Sequence, residues 1–255
     1  MHWRCYDTFH GMPQGACAGG IAVVIDVLRA STTIVTALAN GAERVVPVAD
    51  VEAARRLASA AGPTALLGGE RGGVRIEGFD LGNSPLEYSA DRVAGRTIVI
   101  TTTNGTAALA ASRGAREILI GAIVNRIATA EMIRRLAGDG EHVCLVCAGT
   151  DGRVSAEDVL AAGAILDAAE VEGAENDLDP TAREALASFR RVAASGDVPT
   201  ALVAEFRRSP GGANLVALGM EADLPAAAAI DTLAVVPRFD AASGSLFPAL
   251  LHSRS

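Results

Sequence analysis

Apolar residues fall along this chain in short unbroken runs, separated by Ala-rich stretches whose apolar positions recur at helical spacing. Runs rich in Val, Ile and Leu predict strands buried on both faces, here residues 21–26, 44–48, 65–68, 97–101, 117–120, 142–148 and 232–236. Between them the spacing predicts helices over 32–39, 51–60, 106–112, 127–137 and 155–168. In the second helix Val51, Ala54, Leu57 and Ala58 form one apolar stripe, with Glu52, Arg55 and Arg56 outside it. The alternation predicts an α/β fold, three-layer α/β/α around a mostly parallel sheet with right-handed crossovers.

Two strand–loop–helix units share one design, IAVVIDVLRASTTIVTALANGAERVV and TIVITTTNGTAALAASRGAREIL. Thr33, Ala37, Gly41 and Ala42 recur at one constant offset as Thr106, Ala110, Gly114 and Ala115, which suggests an internal duplication. The pattern suits a single unit over 1–255, or two α/β subdomains with a boundary in 122–142. Residues 68–94 break the rhythm with a glycine-rich stretch, and long irregular loops in compact domains are usually functional or disordered. Beyond residue 168 the strands give way to a helical segment. Asp179 and Pro180 read as an N-cap and first helical residue, Gly196 as a stop, and TLAVVP as a return to the sheet. The acidic stretch 170–179 reads as a solvated surface turn.

Composition narrows the function. Apolar residues make up 50% of the chain and aromatics 4%, so the core is built from aliphatics and a β-sandwich is disfavoured. The formal net charge of −8 argues against nucleic acid as a partner, since phosphates require a basic face. All 22 basic residues are arginine. The lack of lysine excludes a Schiff base, a Walker A site and lysine-assisted aspartyl-phosphate chemistry. Four cysteines are too few for a disulfide framework. With no apolar leader near residue 1 and no run long enough to span a bilayer, a cytoplasmic protein with no membrane partner is expected.

Ligands of open α/β sheets gather where strands give way to helices, and three such loops here are polar. In DVLRAST, Asp26 leaves an apolar strand, followed by Arg29, Ser31 and Thr32. A carboxylate there is costly unless it is paired or binds a metal, and an Asp26–Arg29 salt bridge serves as well as a metal. TTTNGT offers Thr102, Thr103, Asn104, Gly105 and Thr106 to an anion, or simply caps a helix. The irregular stretch adds Glu70, Arg71, Arg75, Glu77, Asp80, Asn83 and Ser84.

CAGTDGRVSAED has three readings. Ser155 and Asp158 can form a capping box; Glu157 and Asp158 can offer acidic ligands; Cys147 and Arg153 have the spacing of cysteine-based phosphatases. Cys144 and Cys147 form a CxxC, but in a strand they face opposite sides, which disfavours zinc. His2, His10, His142 and His252 are scattered without ligand spacing.

Taken in order, VVIDVLRASTTIVTAL, GGERGGVRIEGFDLGNSP, TTTNGT, CAGTDGRVSAEDVLAAG and SPGGANLVALGMEADL resemble the 2-phosphosulfolactate phosphatase family. The resemblance implies an α/β fold peculiar to that family. It also implies a Mg²⁺-dependent hydrolase that removes phosphate from 2-phospho-3-sulfolactate, or a related phospho-2-hydroxy acid, in coenzyme M biosynthesis. Such a substrate is small and anionic, so an acidic protein must hold it by local positive charge. Arg29, Arg71, Mg²⁺ and the TTTNGT amides would supply that charge.

Asp26, Glu70 and Asp158 are then expected as Mg²⁺ ligands, with Glu157 as an alternative ligand or proton shuttle. Asp26, Arg29, Glu70, Arg71 and Asp158 form the expected catalytic set. Thr102, Thr103 and Asn104 would fix the phosphate, with Ser31, Thr32, Asn83, Ser84, Gly105, Thr106 and Cys147 around them. Two rivals stay open: a cysteine nucleophile at Cys147 with Arg153, and a non-catalytic module binding an anionic metabolite. Oligomeric state, a homodimer included, also stays open.

Overall fold

The computed structural model describes residues 1–171 and 177–250. Strand β2 (Ile21–Ile25) is buried throughout. Ile21, Val23 and Ile25 join one core cluster, whereas Ala22 and Val24 join another. Strand β6 (Thr97–Thr101) divides likewise: Ile98 and Ile100 join Val24 in its cluster, and Val99 packs with Ala54 and Phe79. Two-sided burial is why these strands are continuous apolar runs. Helices α1 (Ala30–Ala39) and α4 (Gly105–Ala111), with the short α3 (Ala90–Val93), fill the shared cluster. On the far sides lie α2 (Val51–Ala61), over β6, and α5 (Arg126–Leu136) with α6 (Ala156–Ala168), over β2. This is the expected α/β/α layering.

The other strands are β1 (His2–Tyr6), β3 (Arg44–Pro47), β4 (Ala65–Arg71), β5 (Val74–Arg75), β7 (Glu117–Gly121), β8 (His142–Cys147), β9 (Val235–Asp240) and β10 (Ser245–Leu250). They form one sheet of order β1-β8-β2-β7-β9-β10-β3-β6-β4-β5. β1, β8, β2 and β7 are mutually parallel, as are β3, β6 and β4. The antiparallel hairpin β9–β10 joins these two segments.

Three successive antiparallel pairings make the segments run in opposite directions. A flat sheet would put the ends of β2 and β6 on opposite edges. They meet instead, because a Cβ on Gly105, just after β6, would lie 2.8 Å from Asp26 Oδ2 and 2.7 Å from Ala30 Cβ. The sheet therefore bends through the hairpin, which holds β7 only by Leu119↔Arg238 and β3 only by Leu246↔Val45.

The repeated units cross over. α1 carries the chain from β2 to β3, α4 carries it from β6 to β7, and the pairs are β2 with β7 and β3 with β6. Each unit thus gives one strand to each segment. Gly41 and Gly114, shared by both, have φ of 88° and 108° just past α1 and α4, a conformation that suits glycine after a helix.

The expected C-terminal helical segment is α7 (Pro180–Ala193), α8 (Val198–Arg208), α9 (Pro210–Ala217) and α10 (Asp223–Ala227). Asp179 caps α7 through Ala182 N–H, as its sequence signal suggests. It also accepts from Cys5 N–H, so it ties α7 to β1. Residues 172–176 of the expected acidic turn, and His252, lie outside the described residues.

Three strands go beyond the sequence expectation. β1 alternates buried and exposed positions, β10 contains Pro248, and β5 is a two-residue return of the hairpin begun by β4. Among the described residues no helix is long and apolar enough to cross a membrane.

Candidate active site

The bend brings loops from both segments around a cavity of about 370 Å³. Its lining includes Asp26 and Arg29 after β2, Glu70, Gly72 and Gly73 at the β4–β5 turn, and Thr103 and Asn104 after β6. Asn83, Thr150, Asp151, Gly211 and Asn214 complete its polar wall. A concavity of about 570 Å³ between β7 and the β9–β10 hairpin is larger but lined by none of these groups. Chemistry, not size, selects the smaller one.

The β2–α1 loop is bound on every side. Asp26 N–H donates to Ser31 Oγ (2.8 Å), and Ser31 Oγ donates to Val24 O (3.4 Å). Thr32 Oγ1 donates to Val27 O. Val27 N–H donates to Asp158 Oδ1 (2.8 Å), and Gly149 N–H to Asp158 Oδ2 (3.0 Å). Asp158, in the first turn of α6, therefore ties the loop after β2 to the loop after β8.

Asp26 Oδ1 accepts only a long bond from Ala30 N–H (3.3 Å). Burial pushes its carboxyl up to about 7; the Ala30 bond opposes this, the charges of Glu70 and Glu157 add to it, and Arg29 offsets it least. The salt bridge between Asp26 and Arg29 that the sequence allowed does not form. Arg29 pairs with Asp223 Oδ2 (2.7 Å) and donates to Gly73 O (2.5 Å).

Glu70 links the second segment's loops. Its Oε1 accepts from Thr103 N–H and its Oε2 from Gly73 N–H, both at 2.8 Å. From Thr102 to Thr106 the TTTNGT loop is otherwise closed on itself: Thr106 N–H donates to Thr102 Oγ1 and Thr106 Oγ1 to Thr102 O. Arg71 does not line the cavity. Its guanidinium is exposed and donates to Thr101 Oγ1 and to the Glu70 and Thr101 carbonyls.

Other residues singled out from sequence fall into two groups. Asn83 lines the cavity, and its Oδ1 is buried without a partner. Ser84 Oγ donates to Asp223 Oδ1 (2.5 Å). Ser31, Thr32 and Thr102 are buried and internally bonded, so they shape the loops. Glu157 lies behind the lining: its Oε1 would be 2.6 Å from a Cβ on Gly211, and its Oε2 is buried without a partner. Burial raises the pKa of Glu157 and, well above the ordinary value, that of Asp158, where Asp26 and Glu157 add their charge.

Cys147 is fully buried in the core cluster with Cys5. A hydrogen bond with Cys5 and burial push its thiol well above the ordinary range, and it is not in the cavity wall. Nothing in this setting favours a thiolate nucleophile. Cys144 joins the other cluster, with Cys17, so the CxxC splits across the sheet.

Sequence reasoning missed Asp223, Gly73, Thr150, Asp151 and Asn214. Asp223 and Asn214 lie within SPGGANLVALGMEADL, so the signal was present in a quoted motif. An acid in the first turn of a short helix reads as ordinary helix chemistry.

The acidic groups can be weighed for a cation. Among the described residues, no three His, Cys, Asp or Glu side chains converge in a ligating arrangement. Asp26 and Glu70 nevertheless face one cavity, with two orphaned oxygens, Asn83 Oδ1 and Glu157 Oε2, close to this wall. All are hard oxygen donors, and the site's arginine is already paired. This donor set suits Mg²⁺, which keeps several waters and takes few carboxylates.

Known proteins resemble this chain over most of its length. The family model described as 2-phosphosulpholactate phosphatase matches residues 6–242. A probable 2-phosphosulfolactate phosphatase of Deinococcus radiodurans is 46% identical over 85% of this chain and 86% of its own length. That of Symbiobacterium thermophilum is 45% identical over 89% and 94%, and that of Gloeobacter violaceus is 43% identical over 95% and 97%. The chain thus belongs to the 2-phosphosulfolactate phosphatase family of phosphoric monoester hydrolases.

Proposed function

We propose that this protein is a Mg²⁺-dependent phosphatase that hydrolyses 2-phospho-3-sulfolactate, or a closely related phospho-2-hydroxy acid, to the hydroxy acid and inorganic phosphate, as in coenzyme M biosynthesis. One observation carries the reading. Asp26, Glu70, Arg29, Thr103 and Asn104, from three loops distant in sequence, line one small polar cavity in a chain of this family.

Asp26 and Glu70 would hold the cation, with Asn83 in the wall and Glu157 behind it to add oxygen ligands or bind its waters. Bound Mg²⁺ would supply charge neutralisation at the phosphoryl oxygens and a lowered pKa for water. Arg29 would bind an anionic group of the substrate through the donors not used by Asp223 and Gly73. The Asn104 side chain and the amides of the TTTNGT loop would orient the phosphate. Thr103 N–H is committed to Glu70, so the cradle is narrower than the loop's composition suggests.

Asp158 would act by position. With both oxygens on backbone N–H groups, it fixes the loop that presents Asp26. Glu157 has a raised pKa and an unpartnered oxygen beside the cavity wall, and so could hold the proton that the leaving alkoxide needs.

The test is phosphate release from 2-phosphosulfolactate and from phospholactate, with Mg²⁺ and with chelator. Chelator should abolish turnover and added Mg²⁺ should restore it. Full activity in chelator, or no phosphate release from either substrate, refutes the reading.

A further inference from the structure

Arg29 lines the cavity although its side chain is only 3% exposed. A guanidinium buried that deeply needs a matched charge and fixed hydrogen-bond partners. Asp26, three residues away and on the same cavity, does not supply them. The partner comes from 194 residues along the chain, in the C-terminal helical segment.

We propose that Asp223 is a positioning residue, which fixes the Arg29 guanidinium so that its remaining donors meet the anionic substrate. This deepens the phosphatase reading and rests on it. Asp223 is buried, and both its oxygens are used: Oδ2 accepts from Arg29 Nη1 and Oδ1 from Ser84 Oγ. Met220 Sδ lies 2.9 Å from the same Arg29 nitrogen. Arg29 Nη2 donates to Gly73 O.

The two terminal nitrogens are thus pinned separately, Nη1 by the C-terminal helices and Nη2 by the β4–β5 turn. A planar guanidinium held at two points has one orientation, and its remaining N–H groups point in fixed directions. The arrangement also keeps Arg29 off Asp26. Without Asp223, Asp26 is the neighbouring buried carboxylate, and pairing there would occupy a cation ligand and an anion ligand together.

Asp223→Asn keeps the shape and removes the charge. With Mg²⁺ present, inorganic phosphate binding measured by calorimetry should weaken about tenfold, the scale of one lost charge-assisted hydrogen bond. KM for 2-phosphosulfolactate should rise similarly, with kcat changed less than about threefold, because the interaction serves ground state and transition state alike. In an Arg29→Ala background, Asp223→Asn should add nothing beyond about twofold, as expected of a residue acting through Arg29.

Phosphate affinity within twofold of wild type in Asp223→Asn, or effects that multiply in the double variant, overturns the proposal. If Asp223→Asn does not fold, Ser84→Ala removes the second contact alone. It should weaken phosphate binding two- to fivefold, with a modest fall in Tm because Asp223 Oδ1 loses its hydroxyl partner, and unchanged binding again overturns the proposal. Phosphate binding needs no turnover. A protein that shows this Arg29–Asp223 coupling but does not release phosphate from 2-phosphosulfolactate defeats the substrate reading and leaves the positioning role standing.

Discussion

The two polar loops that meet at Asp26 and Gly105 follow equivalent strands and begin equivalent helices, yet they are held differently. DVLRAST is buried at every residue but Leu28. Its key polar groups are satisfied from afar: Val27 N–H by Asp158, and Arg29 by Asp223 and Gly73. TTTNGT is exposed or half-buried from Thr103 to Thr106 and largely satisfies itself; from outside, Glu70 reaches in at Thr103 N–H and Arg71 at the Thr101 hydroxyl and carbonyl.

A loop bound to distant buried groups cannot shift without orphaning them. A self-closed, open loop can. On the proposed reading, the rigid loop then places the charges accurately, Asp26 for the cation and Arg29 for the substrate anion, while the open loop supplies adaptable binding. Four substitutions and one pH series press on this division, in decreasing order of expected effect.

Asp158→Ala strikes the rigid loop's main anchor. It leaves two buried N–H groups, of Val27 and Gly149, without a partner, at a cost of about 2 kcal/mol or more. Relief from burying the carboxyl offsets part of this. Urea unfolding should show the loss, and phosphate release should fall by at least about a hundredfold. Near-normal activity would mean that the loop holds its shape without Asp158.

Asp26→Asn should also cost about a hundredfold or more in activity, but with the opposite sign for stability. The Asp26 carboxyl is pushed up to about 7 in the folded protein, above its unfolded value. Between about pH 4 and pH 7 the folded state thus keeps a proton that the unfolded chain has lost. This contribution is full below the unfolded pKa and disappears as pH rises through the folded one. Glu157 and Asp158 shift in the same direction.

In chelator, Tm should fall from pH 5 to pH 7.5, and Asp26→Asn should flatten that slope. Mg²⁺ should restore Tm in wild type more than in the variant. A pH-independent Tm in chelator would contradict the assigned environment of Asp26.

What was legible in the sequence follows the same physics. β2, β6, β7 and β8 are buried on both faces, and such strands appear as unbroken apolar runs. β1 presents alternate residues to solvent and is interrupted by Arg4, while β10 carries Pro248, so neither forms a run. The bend of the sheet lies in the single-register joints of the β9–β10 hairpin, which no local pattern records. In the site, Asp26, Arg29, Glu70, Thr103 and Asn104 could be named because polar residues at strand ends stand out against apolar strands. Asp223 could not, because its role exists only through Arg29. The bonds that close TTTNGT on itself were equally hidden, since four threonines show how many donors are present but not which are spent.

Gly105→Ala presses on the contact between the loops. The added Cβ would lie 2.7 Å from Ala30 Cβ and 2.8 Å from Asp26 Oδ2, closer than packed atoms allow. Because TTTNGT is open and self-closed, it should be the loop that yields. Stability should then fall by only about 1 kcal/mol, while phosphate release falls about tenfold as the two halves of the site separate. A large loss of stability would show that the open loop is as rigid as its partner.

The smallest effect belongs to Asn104→Ala. Asn104 lines the cavity at half burial and makes no side-chain cap to α4. Its removal should leave Tm within a degree or two, because no buried partner is stranded. If its amide serves only to orient the phosphate, KM should rise a few-fold, about the 1 kcal/mol of one neutral hydrogen bond, with kcat held. A fall in kcat at constant KM would move Asn104 out of the binding loop and into the chemistry. The division between a rigid chemical loop and an adaptable binding loop would then fail at the residue best placed to test it.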